Sequence, residues 1–312
     1  MRTVFLLNPA AGRGRGLDKL KDKITRVAES SAIDYEVHIT EFIGDAENYV
    51  RKVSRENPDE KCLFVACGGD GTFNEILNGA SGNKNAVLSI VPIGTGNDFV
   101  RNFPDCGDFT DIEKLLAGHE VSCDAIKYSG KIGGIVQERY CGNMINIGFD
   151  SNVVDLTQRL KTKPLVSGTN AYILSVLIVL IKKADANLRI EADGELIHEG
   201  KLLLSTVANG AFCGGGMKSN PLAAIRDGKM DINIAGDLGR LRFLSLFPKY
   251  SKGEILDVRG IDKYLKHKKA EKLIITPLDG MMRLCSDGET GTAEKIELEV
   301  VPDFFRFRLP LR

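Results

Sequence analysis

Three short runs concentrate the residue types that can hold a phosphate. One is Gly68-Gly69-Asp70-Gly71-Thr72. Glycines let a backbone approach an anion closely, and exposed N–H groups can cradle it. Thr72 adds a hydroxyl where a following helix begins, and the helix dipole favours negative charge there. Asp70 is the odd element, because a carboxylate repels phosphate. It reads as the organiser of a cation, a bound water or a basic side chain, and a strand–helix turn with an Asp cap is the competing reading. A second run, Pro92-Ile93-Gly94-Thr95-Gly96-Asn97-Asp98-Phe99, again joins glycine, Thr and an acid, with Asn97 or Asp98 placed to cap a helix. A third, Asn8-Pro9-Ala10-Ala11-Gly12-Arg13-Gly14, fails the dinucleotide pattern because Leu17 stands where the last glycine belongs. Nor does Gly-Lys-Ser/Thr follow it, so it is not a P-loop. It offers backbone N–H groups beside a helix start, which suits an anion.

Strands and helices must position these runs. Apolar and amphipathic segments alternate over the first 125 or so residues: strands at Val4–Leu7, Tyr35–Ile39, Cys62–Cys67 and Leu88–Pro92, helices at Leu17–Ala28, Ala46–Val53, Phe73–Asn78 and Asp111–Ala117. That alternation predicts a parallel sheet covered on both faces. Ligands of such sheets sit beyond the carboxyl ends of the strands, where all three runs would converge. After about residue 126 the pattern changes to strand-like runs separated by turns such as Gly133-Gly134, Asp193-Gly194, Asp227-Gly228 and Asp287-Gly288. The expected organisation is an α/β nucleotide-binding domain over 1–126 and a β-rich, sandwich-like domain over 127–300. A final strand over 301–312 is compatible with a return to either, the first domain included.

Composition narrows the class. The 312 residues carry no formal net charge, so no whole-chain footprint for nucleic acid exists. Seven cysteines form no C-x-x-C pair, which argues against a disulfide framework or zinc site and for a cytoplasmic setting. The apolar start, Met1 to Leu7, is too short for a signal peptide core. The longest apolar run, Ala171–Ile181, is roughly half the ~20 residues that cross a bilayer, so it reads as a buried helix, with interfacial membrane contact as the alternative. The stretch from Arg240 to Lys272 is basic and also carries Phe243 and Phe247. It reads as a solvated face, or as a surface that meets anionic lipid.

Together the three runs, extended to Gly68–Glu75, resemble the diacylglycerol kinase catalytic domain in residues, order and spacing. The closest likeness is to bacterial diacylglycerol and lipid kinases, relatives of sphingosine kinases and, more distantly, NAD kinases. The likeness continues through Asn146-Ile147-Gly148-Phe149-Asp150, Asn209-Gly210, Gly214-Gly215-Gly216, Ala224–Gly228 and Asp287-Gly288-Glu289. Ser151 departs from it, since alanine is more usual there. The resemblance implies an active site in the interdomain cleft, with ATP held by Asn8, Thr40, Gly68, Gly69, Asp70, Gly71, Thr72 and Thr95. Thr40 rests on resemblance alone.

The resemblance also implies a general base in a C-terminal Asp-Gly-Glu. Asp193-Gly194-Glu195 reads as a hairpin turn, whereas Asp287-Gly288-Glu289 matches the family's motif by position and order, so the resemblance points to Glu289. Mg²⁺ would accompany the triphosphate, with Asp70 organising it. A structural Mg²⁺ would sit on the Asp227 carboxylate and the Ala224 and Lys229 carbonyls, though a plain turn would also explain Asp227-Gly228. The expected reaction is ATP-dependent phosphorylation of a lipid hydroxyl, diacylglycerol first, by a cytoplasmic protein touching the membrane peripherally. Another lipid (phosphatidylglycerol or a sphingoid), NAD, or non-catalytic nucleotide binding are the alternatives. Homodimer formation is left open.

Overall fold

The computed structural model describes residues 1–14, 16–148, 186–236 and 238–312. The apolar run at 171–181 and residues 149–151 lie outside them. The chain divides into two compact units, Met1–Asp124 with Pro302–Arg312, and Ala125–Val301.

In the first unit, strands β1 (Arg2–Leu7), β2 (Tyr35–Ile39), β3 (Cys62–Gly68) and β4 (Ala86–Pro92) form a parallel sheet in the order β4-β3-β1-β2. β3 is buried along its whole length, as its unbroken apolar run demands. Helix α1 (Leu17–Ser30) buries Ile24, Val27 and Ala28, and α2 (Asp45–Glu56) buries Ala46, Val50 and Val53, each at helical spacing. Helix α3 (Asp70–Gly79) starts earlier than its apolar pattern predicts, so Asp70, Gly71 and Thr72 form its first turn. A short α4 (Ile112–Leu116) is capped by Asp111, whose carboxylate accepts the Lys114 amide. The last strand, β15 (Glu289–Leu309), ends beside β4, with Arg306 opposite Val87 and Phe307 opposite Leu88. Phe305 and Phe307 thereby join Phe73, Phe99 and Phe103 in one aromatic cluster, with Phe73 and Phe99 stacked at 4.4 Å.

The second unit is antiparallel. β7 (Met144–Gly148), β10 (Leu204–Ala208) and β11 (Met230–Ala235) are buried throughout and neighbour one another, flanked by β12 (Leu265–Ala270) and β14 (Met282–Ser286). β8 (Ala186–Ala192) and β9 (Glu195–Leu202) form the hairpin expected around Asp193-Gly194, whose positive φ angles of 50° and 82° fit a two-residue turn. β5 (His119–Ile132) and β6 (Ile135–Cys141) form another, and β13 (Lys272–Pro277) pairs β8. One core gathers Ile145, Ile147, Val207, Ile232, Leu273, Leu284 and Ile296. The expected fold class, an α/β domain followed by a β-rich one, is the one observed.

The basic stretch contains a helix, α5 (Arg240–Lys252), ended by Gly253 at φ 78°. Phe243 and Tyr250 turn inward against Leu204, Ile255 and Leu265, while Leu241 and Leu244 stay exposed. Several of the basic groups are internally engaged: Lys249 with Glu254, Lys268 with Glu195, Lys269 with Asp227 and Lys272 with Glu299, while Arg242 lies over the Tyr264 ring.

Candidate active site

Strand order decides where the glycine runs meet. β1 and β3 are neighbours, and the chain leaves them in opposite directions, toward β2 and toward β4. That is a topological switch point, where open parallel sheets bind ligands. Asn8 follows β1 and Gly68–Thr72 follows β3, and the two are joined there. Asn8 N–H donates to the Cys67 carbonyl at 3.0 Å, and Asn8 Nδ2 donates to Thr72 Oγ1 at 2.9 Å. Thr40, buried at the end of β2, donates from both its N–H and its hydroxyl to the Leu7 carbonyl, at 2.9 and 3.4 Å. It is thus placed next to Asn8.

The loop after β4 lies directly on the loop after β3. Ile93 N–H and Gly94 N–H both donate to the Gly68 carbonyl, at 2.9 and 3.0 Å. A Cβ on Gly94 would come 2.4 Å from Gly69 Cα, so the two backbones touch and only glycine permits it. The first loop reaches the same place, since a Cβ on Gly12 would lie 2.9 Å from the Ile93 carbonyl oxygen. All three loops therefore converge on the start of α3. The stacked rings of Phe73 and Phe99, each just after its loop, fix the two behind the contact. Thr95 is exposed in the third loop.

Asp70 has an occupation that its sequence context did not suggest. Its Oδ1 accepts the Asp98 and Phe99 amides, at 2.8 and 3.0 Å. The carboxylate stitches the third loop onto the first turn of α3, so that oxygen is spent on backbone amides. Glu75 was also not assigned a role from sequence: its carboxylate accepts the Gly44 and Ala46 amides, satisfying the start of α2 from α3. The glutamate one turn into a helix that starts at a glycine loop is the signal that was there to read.

Glu289, Asp227, Ala224 and Lys229 lie in the second unit. Glu289 opens β15 after a tight turn in which Asp287 and Gly288 have φ of 47° and 91°. Its carboxylate is half-exposed, 3.9 Å from the Arg139 guanidinium on β6. Asp287 anchors the turn, a role missed in the sequence. It accepts the Gly142 amide at 2.8 Å on Oδ2 and the Asn143 and Met144 amides at 3.2 and 2.9 Å on Oδ1. The Cys141 thiol, pushed up by burial and by the Asp287 carboxylate, stays protonated and also donates to Asp287. Asp193 plays the same part in its own hairpin, accepting the Glu271 and Lys272 amides. Glu195 is engaged at 2.6 Å by Lys268.

The residues expected to hold a structural Mg²⁺ do not fit one as they stand. Asp227 Oδ1 accepts the Lys229 amide at 3.1 Å, and Oδ2 meets Lys269 Nζ at 2.6 Å. Among the described residues, no group of three or more His, Cys, Asp or Glu side chains gathers to hold a metal.

Residues 2–128 match the diacylglycerol kinase catalytic domain, and residues 143–308 match the YegS C-terminal NAD kinase beta sandwich-like domain. The chain belongs to the diacylglycerol kinase and YegS-like lipid kinase family. It is a phosphotransferase with an alcohol acceptor. A YegS-like lipid kinase of Klebsiella pneumoniae is 28% identical over 99% of this chain and 96% of its own. A diacylglycerol kinase of Bacillus subtilis is 26% identical over 93% and 90%. Among solved structures, a diacylglycerol kinase of Bacillus anthracis superposes with a TM-score of 0.70 at 22% identity, covering 99% of this chain and 96% of that one. Yeast NADH kinase shares the fold at a TM-score of 0.51 and 10% identity, covering 100% and 84%. No described helix of this family member is long and apolar enough to cross a membrane.

Proposed function

We propose that the protein transfers the γ-phosphoryl group of ATP to a lipid hydroxyl, with diacylglycerol as acceptor and phosphatidic acid as product. The observation that carries this reading is the contact of the Gly68–Thr72 and Gly94–Asp98 loops beside Asn8, at the switch point of a kinase-family sheet. Backbone amides at the start of α3 face the triphosphate, and the helix dipole adds to their attraction. Asn8 and Thr72 orient each other at its edge.

Glu289 accepts the proton of the acceptor hydroxyl as its oxygen bonds to the γ-phosphorus and the bond to the β-phosphate oxygen breaks. A carboxylate suffices as base, because phosphoryl transfer passes through a loose transition state in which positioning dominates. The Asp287 anchor keeps Glu289 in place through the turn. Mg²⁺ bound with the nucleotide would neutralise its charge, with Asp70 of the Gly68–Thr72 loop as the residue that would organise it.

The acceptor is reached at a membrane surface, which the protein touches peripherally. The exposed Leu241 and Leu244 of α5 support that reading, rather than the basic residues already engaged internally. Incubation with γ-labelled ATP and Mg²⁺ against diacylglycerol, phosphatidylglycerol, a sphingoid base and NAD tests the assignment, with products separated by chromatography. Labelled phosphatidic acid is expected. Label only in NAD would sink the lipid reading, and label only in phosphatidylglycerol would sink the choice of acceptor.

A further inference from the structure

The Asp227 turn leads into β11, and β12 runs antiparallel beside it, with Asp231 opposite Lys269 and Asn233 opposite His267. Residues two apart on a strand share a face, so His267 and Lys269 point the same way. Each meets a carboxylate. His267 Nε2 lies 2.8 Å from Asp231 Oδ2, and Lys269 Nζ lies 2.6 Å from Asp227 Oδ2. The remaining oxygens are also satisfied: Asp231 Oδ1 accepts Asn220 Nδ2 at 3.1 Å, and Asp227 Oδ1 accepts the Lys229 amide. The Ala224 carbonyl accepts the Asp227 amide at 3.4 Å.

Mg²⁺ demands near-octahedral oxygens at about 2.0–2.1 Å. On Asp227 Oδ2 it would share one oxygen with an ammonium group 2.6 Å away, and the two cations would repel across a partly buried site. We propose that Lys269 is the built-in counter-ion of Asp227 and takes the place of a divalent cation at this turn. The β11–β12 edge of the second unit is then neutralised from within. Its folding is independent of Mg²⁺, and any Mg²⁺ the protein binds without nucleotide is held elsewhere.

The test is thermal unfolding of the full chain without nucleotide, in EDTA and then through a Mg²⁺ titration. Wild type, Asp227→Asn, Lys269→Met and the double variant are compared. The melting temperatures of wild type and Asp227→Asn should respond equally to Mg²⁺. Lys269→Met should gain a saturable rise of several degrees that the double variant lacks. A Mg²⁺-dependent rise in wild type that Asp227→Asn abolishes would overturn the proposal. So would a Lys269→Met protein no more responsive than wild type. Should Lys269→Met fail to fold, the comparison of wild type with Asp227→Asn decides alone.

Discussion

Gly94→Ala and Gly71→Ala separate two jobs that glycine does at the nucleotide loops. At position 94 the added Cβ would lie 2.4 Å from Gly69 Cα, 3.0 Å from Gly69 N and 2.9 Å from Asn97 Oδ1. Carbon atoms rest at about 3.5–4.0 Å, so the loops must part by about 1 Å. The obstacle is backbone, and no rotamer change relieves it. The shift also weakens the two amides that donate to the Gly68 carbonyl, each worth about 1 kcal/mol. A displacement of about 1 Å in a positioned site costs on the order of a hundredfold in rate. kcat/KM for ATP should therefore fall by about that factor, roughly 2.7 kcal/mol, with ATP affinity falling as the loop backbone moves. At position 71 an added Cβ meets nothing within 4 Å and stands in the first turn of α3. Alanine there should raise stability by roughly 0.5–1 kcal/mol through helix propensity. It should nevertheless weaken ATP binding, because the open space it enters is where the phosphates approach. Steady-state kinetics and isothermal titration with Mg-ATP, paired with urea unfolding, measure these quantities. Wild-type affinity in Gly94→Ala would refute the argument from loop contact, and wild-type affinity in Gly71→Ala would place the phosphates elsewhere.

Other outcomes follow from single contacts. Glu289→Gln should lower kcat by about 10²–10⁴-fold with ATP binding unchanged, read by steady-state kinetics and titration; an unchanged kcat would remove it as the base. Asp287→Ala strips the acceptor from the Gly142, Asn143 and Met144 amides and should cost about 3–5 kcal/mol in urea unfolding, whereas Asp287→Asn should cost less than half as much. Phe307→Ala opens the aromatic cluster behind both loops and should cost about 3–5 kcal/mol while also weakening ATP binding. The pH dependence has an alkaline limb. Burial and then the hydrogen bond to Glu36 push the Tyr49 phenol up to about 12. A raised folded pKa stabilises fully below the ordinary value of 10 and is lost as pH rises toward 12. Tyr49→Phe should flatten that part of a stability-against-pH curve. On the acid side, burial raises Glu120, but hydrogen bonds from Lys61 and Arg308 outweigh it and leave it depressed. Its contribution is present above the ordinary carboxylate range and is lost as pH falls through the depressed value, and Glu120→Gln should remove it.

Periodicity and turn chemistry were enough for most elements of the first unit, though not for the early start of α3 or for helix α5. The unbroken apolar run at Cys62–Gly68 marked a strand buried on both faces, and the spacing of Ile24, Val27 and Ala28 marked one face of a helix. Asp193-Gly194 declared its hairpin because a two-residue turn requires positive φ. The glycine loops were legible for the same reason, since close backbone approach leaves glycine as its trace. Signals of that kind are local, and they end where a side chain meets a partner distant in sequence. The acceptor role of Asp70 depends on amides 28 and 29 residues away, that of Asp287 on amides about 145 away, and Phe307 reaches Phe73 from the far end of the chain. Lys269 sits on Asp227 because β12 happens to border β11 in this register. Strand order and register are set by how whole elements bury their apolar faces, and no window of sequence around one residue contains that choice. The sequence by itself therefore determined which residues could serve a phosphoryl transfer. The tertiary structure decided which of their carboxylates, Asp70, Asp227 and Asp287 among them, hold backbone and neighbouring side chains in place.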